Sequence, residues 1–225
     1  MSSIWFDGFA VALAWPETNC KQAGSWYDLP MYCLGFNRNG FYRVGHAAVL
    51  LVDDETGSCR YFDFGRYHAP FQYGRVRSAE TDDDLKIVTK AVIDRKKEEI
   101  TNLKDILSEL YDHPSTHGTG TIYGSSARII LNGSLSCIRN LQEREFILYG
   151  PFIPHGTNCS RFVNRVIRAG KPSLIKRFML RYPLTVSPSP MWNVIAVGGK
   201  TNRLTKIYDA DETLSCKKEL ETMLS

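Results

Sequence analysis

Apolar residues fall in short extended blocks as far as residue 93 and mostly take a helical period after it. Residues 8–15 (GFAVALAW) form an unbroken apolar run that stops at Pro16, which predicts a strand. Residues 44–52 (VGHAAVLLV) and 59–65 (CRYFDFG) flank the turn Asp53-Asp54-Glu55-Thr56-Gly57, the pattern of a β-hairpin. Residues 71–77 (FQYGRVR) predict a third strand of this group and 85–93 (LKIVTKAVI) a fourth, joined as an antiparallel meander. Between residues 16 and 42, glycines, prolines and aromatics predict a long irregular connection with one short helix; such connections usually serve a site or wrap the core.

Past Asp94, Ile100, Leu103, Ile106, Leu107 and Leu110 share one helical face, with Lys, Glu and Asp opposite them. Residues 113–120 break that helix with Pro and Gly, and 125–142 predict another in spite of Gly133. Residues 146–153 then lead into HGTNCSRFVN, residues 155–164, where a polar loop turns into a helix at Cys159. Thr157 or Asn158 can accept hydrogen bonds from the orphan amides of the first turn. Phe162, Val163, Val166 and Ile167 recur at helical spacing, and Gly170 with Pro172 ends the helix. Residues 192–197 (WNVIAV) predict a closing strand and 211–224 a short amphipathic helix.

Composition adds bounds. The 225 residues are 43% hydrophobic and 23% charged, ordinary for a globular chain, and with no dividing linker they predict one domain over 1–225. A net charge of +4, read as scattered, argues against nucleic acid or an anionic membrane as partner. No apolar stretch reaches membrane-spanning length and no basic leader opens the chain. The six cysteines (20, 33, 59, 137, 159 and 216) form no dense framework and no CxxC pair. These features predict a cytoplasmic protein with reduced thiols and no cofactor.

Chemistry gathers around Cys159. A thiol at a helix start sees the positive end of the helix dipole, which favours thiolate, and it needs a base within reach to attack a carbonyl. Of the five histidines, His113 and His117 sit in a Pro/Gly-rich loop, and His155 lies on the loop before Cys159, where it can line a site. His46 starts a strand among the small residues Gly45, Ala47 and Ala48, which let another element come close. The hairpin brings Tyr61, Asp63 and Gly65 back beside it, and a carboxylate between Phe62 and Phe64 needs a buried partner. Asp63 is therefore a candidate to orient His46, with His68 as the alternative. Arg66 and Arg75 are candidates to bind an anionic substrate group. The backbone amide of Cys159 would meet an oxyanion, with Tyr42 or Tyr61 as second donor.

Gly45-His46-Ala47 opening a strand, a polar residue on the next strand, and Asn158-Cys159-Ser160-Arg161-Phe162-Val163 opening a late helix form a recognisable order. It resembles the circularly permuted NlpC-type branch of the papain-like cysteine hydrolases, which includes relatives of lecithin:retinol acyltransferase. YFDFGRY, YGRVRS and GTNCSRFV are also similar to an uncharacterised bacterial family related to that branch. The resemblance implies an α+β papain-like fold, its antiparallel sheet packed against the cysteine helix. It further implies Cys159 as nucleophile, His46 as base and Asp63 as third polar residue. The expected reaction is acyl transfer from an amide, in a peptide or cell-wall-like fragment, with a lipid ester or other acyl donor as alternative. A non-catalytic binding module keeping the same shell is the rival.

Each residue also has a plainer reading. Cys159 is in phase with Phe162, Val163 and Val166 and can be a core cysteine. Asp63 can pair Arg60, Arg66 or Arg75 across the sheet, and Asp82-Asp83-Asp84 suits a solvated turn. A zinc site from His46, Cys59, Cys159 and Asp63 has the right ligand types but no supporting short-range spacing.

Overall fold

A computed structural model describes residues 5–22, 24–35, 37–181, 187–198 and 201–205. β1 (Gly8–Trp15) leads into the connection, which holds β2 (Cys20–Lys21), α1 (Asp28–Cys33), β3 (Asn37–Arg38) and β4 (Phe41–Tyr42). β5 (His46–Asp53), β6 (Cys59–Gly65) and β7 (Tyr73–Arg77) follow, then the two-residue pair β8 (Ile93–Asp94) and β9 (Glu99–Ile100). The rest runs α2 (Leu103–Asp112), β10 (Ile122–Ile129), α3 (Leu131–Gln142), β11 (Ile147–Leu148), α4 (Cys159–Ala169), α5 (Leu174–Arg181), α6 (Pro190–Val197) and β12 (Asn202–Leu204). The main sheet has the order β11-β7-β6-β5-β1-β10-β12, every neighbouring pair antiparallel. The protein is thus a mixed α+β fold on a large antiparallel sheet.

β1 explains the layering. It is buried along its whole length because it lies between β5 and β10 with residues on both faces covered. Phe9, Val11, Leu13 and Trp15 pack with Ile106, Leu107 and Leu110 of α2 on one face. Ala10, Ala12 and Ala14 turn to the other, toward α3, α4 and α6. Three alanines there, with Ala47 of β5, leave room for helices to lie close against the sheet. One of those helices begins at Cys159.

Three expectations fail for physical reasons. Residues 85–93 add no strand to the main sheet: Leu85 is buried but Val88 is 78% exposed and Val92 59%, so the segment crosses the outside of the α2 layer. The neighbour of β7 is instead β11. Residues 125–142 are not one helix, because β1 needs a second partner and β10 supplies it, leaving the helix to start at Leu131. Residues 192–197 are helical rather than extended. Ser189 accepts a hydrogen bond from the Trp192 amide at 3.1 Å and Pro190 occupies the first turn, a start signal that outweighs the β-branched run. The helix expected over 211–224 lies outside the described residues.

Gly133 shows how tightly α3 and α4 meet. A Cβ there would stand 2.5 Å from the Ala169 carbonyl oxygen, while Ser134 Oγ donates to Val166 O at 2.9 Å. Gly133→Ala, usually a gain inside a helix, is expected to destabilise the protein by about 1–3 kcal/mol in a denaturant titration. An unchanged midpoint would mean that the two helices can part without cost.

Candidate active site

The start of α4 is built before its chemistry. Asn158 is extended and its Oδ1 accepts the Arg161 amide at 2.8 Å, while its Nδ2 donates to Ser187 Oγ at 2.8 Å. Behind it, Asn193 Nδ2 donates to both Ser160 O and Ser160 Oγ at 2.9 Å, and Asn164 Nδ2 donates to Asn193 Oδ1 at 3.0 Å and Leu180 O at 2.9 Å. All three side chains are buried, so this network fixes the helix start against α5 and α6.

Cys159 and His46 meet at the end of β5. The imidazole, the Ala47 amide and the Tyr149 hydroxyl are the groups that act on the sulfur against its burial. The other side of the ring faces Asp63, with His46 Nε2 3.5 Å from Asp63 Oδ2, and no closer partner completes a hydrogen bond to that nitrogen. Trp15 stacks on the ring, centroids 5.7 Å apart. Gly45 makes the approach possible: its φ is +76°, and a Cβ would stand 2.9 Å from Trp15 O.

Asp63 is fully buried and held by more than His46. Arg77 lies opposite it in the register, donating from Nε to Oδ1 at 2.9 Å and from Nη2 to Oδ2 at 2.5 Å, and Tyr61 donates its hydroxyl to Oδ2 at 3.0 Å. Arg77 also donates to Ser115 O at 3.0 Å and sits 4.1 Å from the centre of the Tyr67 ring. The arrangement is an alternating line of charge, imidazole to carboxylate to guanidinium.

That line sets the protonation states. Burial works against a charged His46, yet the Asp63 carboxylate and the Cys159 sulfur outweigh it and raise the pKa to about 9. Burial likewise opposes a thiolate, but the bond to His46 and its charge bring Cys159 below its ordinary value. Asp63 also stays below its ordinary value, since His46 and Arg77 together overcome its burial. Both shifts run toward a thiolate–imidazolium pair. The second thiol in the cleft, Cys20, goes the opposite way, pushed up to about 12 by burial and by the nearby Cys159 charge.

The residues expected at the site divide. Cys159, His46 and Asp63 come together. Tyr61 is buried and ends on Asp63, away from the cleft, so it is a support rather than a substrate contact. Arg75 is committed to Asp82 through two guanidinium nitrogens and to Tyr67 O. Arg66 donates to the Lys21 and Gln22 carbonyls and covers the Tyr149 ring at 5.3 Å. His155 and His68 are exposed on turns with positive φ. Tyr42 lines the cleft but donates its hydroxyl to Asp28 Oδ1 at 2.6 Å. Cys59 pairs opposite Val52 at the far end of β6, which separates it from the other residues of the zinc alternative. Among the described residues no three His, Cys, Asp or Glu side chains are placed to share a metal ion.

Two residues were missed. Arg77, not Arg60, Arg66 or Arg75, pairs Asp63; counting the hairpin register outward from its turns would have found it. Tyr149 stands ten residues before the cysteine and has no local signal. The Thr157 amide donates to Leu148 O and the Gly150 amide to Thr157 O, each at 2.9 Å, and this brings it alongside Cys159. Burial and the Cys159 charge hold its pKa well above the ordinary value, so the phenol remains a donor.

A cleft of about 450 Å³ opens onto Cys159 between the connection and the segment 187–190. Tyr27, Tyr42, Tyr149 and Phe152 give it aromatic walls, with Lys21 and Arg43 as its cations. It suits an extended substrate with an apolar body and a polar or anionic end.

Comparison with known proteins gives two matches. The sequence profile of a family described as type VI secretion system effector TseH-like matches residues 10–173. The crystal structure of TseH, titled a type VI secretion system effector, superposes with a TM-score of 0.53 at 22% identity, covering 88% of this chain and 93% of that one. At that identity the likeness is one of fold. No curated protein sequence matches the chain.

Proposed function

From the premise that this chain belongs to the TseH-like family of type VI secretion system effectors, we propose that it is a cysteine hydrolase that cleaves an amide. The observation that carries the reading is the Cys159 thiol at a helix start beside the His46 imidazole, whose far side faces Asp63 at 3.5 Å. In this reading residues 1–225 form one papain-like unit of the permuted NlpC type, since the histidine strand precedes the cysteine helix. On the same reading a secretion system would deliver the protein, and its place of action would lie outside the producing cell.

The chemistry follows from the geometry. The Cys159 thiolate attacks the carbonyl carbon, and the oxygen takes up the electron pair. The Cys159 amide and the Tyr149 hydroxyl are the donors for that oxyanion. Imidazolium at His46 gives its proton to the leaving nitrogen, then takes one from the water that hydrolyses the thioester. Asp63 keeps the ring oriented and the imidazolium stable, while Arg77 and Tyr61 hold Asp63. Tyr149→Phe is expected to lower kcat by roughly 10²–10³, as measured with a fluorogenic peptide amide, and to slow alkylation of Cys159 by far less, since His46 still opposes burial of the thiol.

Alkylation against pH tests the pair. Iodoacetamide is expected to label Cys159 well below the pH at which ordinary thiols react, with the label located by mass mapping. Turnover should fall above about pH 9, where His46 loses the proton it must donate. A single ionisation near the ordinary thiol value, with no dependence on His46, would leave the binding-module reading in its place.

A further inference from the structure

Between Glu145 and Asp209 the chain carries ten Lys or Arg and no Asp or Glu, so the net charge of +4 is segregated, not scattered. Arg161, Arg165, Arg168, Arg177 and Arg181 line a second depression of about 570 Å³, which shares only Pro188 with the cysteine cleft. Among the described residues, none of the five is ion-paired with a carboxylate. Burial and the Arg165 charge hold Arg161 below its ordinary pKa, and burial with Arg181 and Arg177 does the same for Arg168. Guanidiniums gathered without counter-charge favour an anion between them.

α5 carries the apolar half of the same surface. Its inward side holds Leu180, buried, and Lys176, whose Nζ donates to Ser126 O at 3.3 Å. Outward, Leu174 is 75% exposed and Ile175 77%. At 100° per residue Arg177 and Arg181 fall along one flank of that crest. An aliphatic crest edged by arginines fits a boundary between water and hydrocarbon. A nucleic acid would satisfy the guanidiniums and leave Leu174 and Ile175 in water.

We propose that α5 and the arginine groove form a docking face for an anionic phospholipid surface, with guanidiniums on headgroup phosphates and Leu174 and Ile175 in the acyl boundary. The face needs no chemistry at Cys159 and brings the protein to a membrane without spanning it; among the described residues no helix is long and apolar enough to cross one.

The test is co-sedimentation of the full chain with phosphatidylcholine vesicles, with and without about one-third phosphatidylglycerol. Binding is expected only with the anionic lipid and should weaken as salt rises. Arg177→Gln with Arg181→Gln should weaken it about fivefold per charge, or about 25-fold together. Leu174→Ser with Ile175→Ser should cost about tenfold. Both double variants should keep the melting temperature and the alkylation rate of Cys159, so this idea can fail without touching the hydrolase. Equal binding to both vesicle types, none to either, or an unaffected arginine variant overturns it. So does titration of the groove by inorganic phosphate or duplex DNA in a protein that ignores vesicles.

Discussion

His46→Ala is expected to slow alkylation of Cys159 at pH 7 by about 100-fold and to lower amide turnover by roughly 10³–10⁴. The imidazolium is the main counter to burial: without it only the Ala47 amide and the Tyr149 hydroxyl oppose burial, and the thiol pKa should rise. Little thiolate then survives at neutral pH, and the leaving nitrogen has no proton donor. The variant should still fold, since Asp63 keeps Arg77 and Tyr61 as partners. Free imidazole added to the emptied space beside Trp15 should restore part of the alkylation rate. An alkylation rate equal to the wild type at pH 7, in a folded variant, sinks the pair as the source of reactivity.

Asp63→Ala is expected to damage the fold more than the chemistry, by about 3–5 kcal/mol of stability. Arg77 is 3% exposed, and removing the carboxylate strands its charge in the sheet. Arg77→Leu should be costly for the mirror reason. The double variant Asp63→Leu with Arg77→Leu should cost well below the sum, because neither charge is left behind. In that double variant the pKa of His46 should drop from about 9, having lost the carboxylate that raises it. Urea denaturation and a histidine titration by NMR read the two effects separately. Additive losses would mean that the buried pair is not a unit.

The same groups give stability its pH limits. His46 is raised in the folded state, so its contribution is complete below an ordinary histidine pKa of about 6.5 and is lost as pH climbs through about 9. Asp63 is lowered, so its contribution is present above an ordinary carboxylate pKa of about 3.9 and is lost on acidification through its folded value.

Local signals served well where one interaction decides the outcome. The run 8–15 reads as a strand because nothing but a sheet interior buries both faces of it. The start of α4 reads correctly because Asn158 caps it through its own side chain. His46 and Cys159 were paired by requirement, each being a weak candidate without the other. The losses come where distant partners decide. Residues 122–129 look polar and mixed, and become a strand because β1 has an open edge. The sequence offers Asp63 three arginines, Arg60, Arg66 or Arg75, and the partner is a fourth, Arg77, because register, set by two turns, decides which one lies opposite. Tyr149 could not be read at all, since only the bridge to Thr157 places it.

The family profile stops at residue 173, yet Asn193, which holds Ser160, comes twenty residues later. A clone trimmed to the matched limits would keep Cys159, His46 and Asp63 and still discard the clamp on the start of α4. During synthesis the same dependence sets an order. The thiol has no finished seat until α6 has left the ribosome and closed over β1, so competence arrives among the last events of assembly.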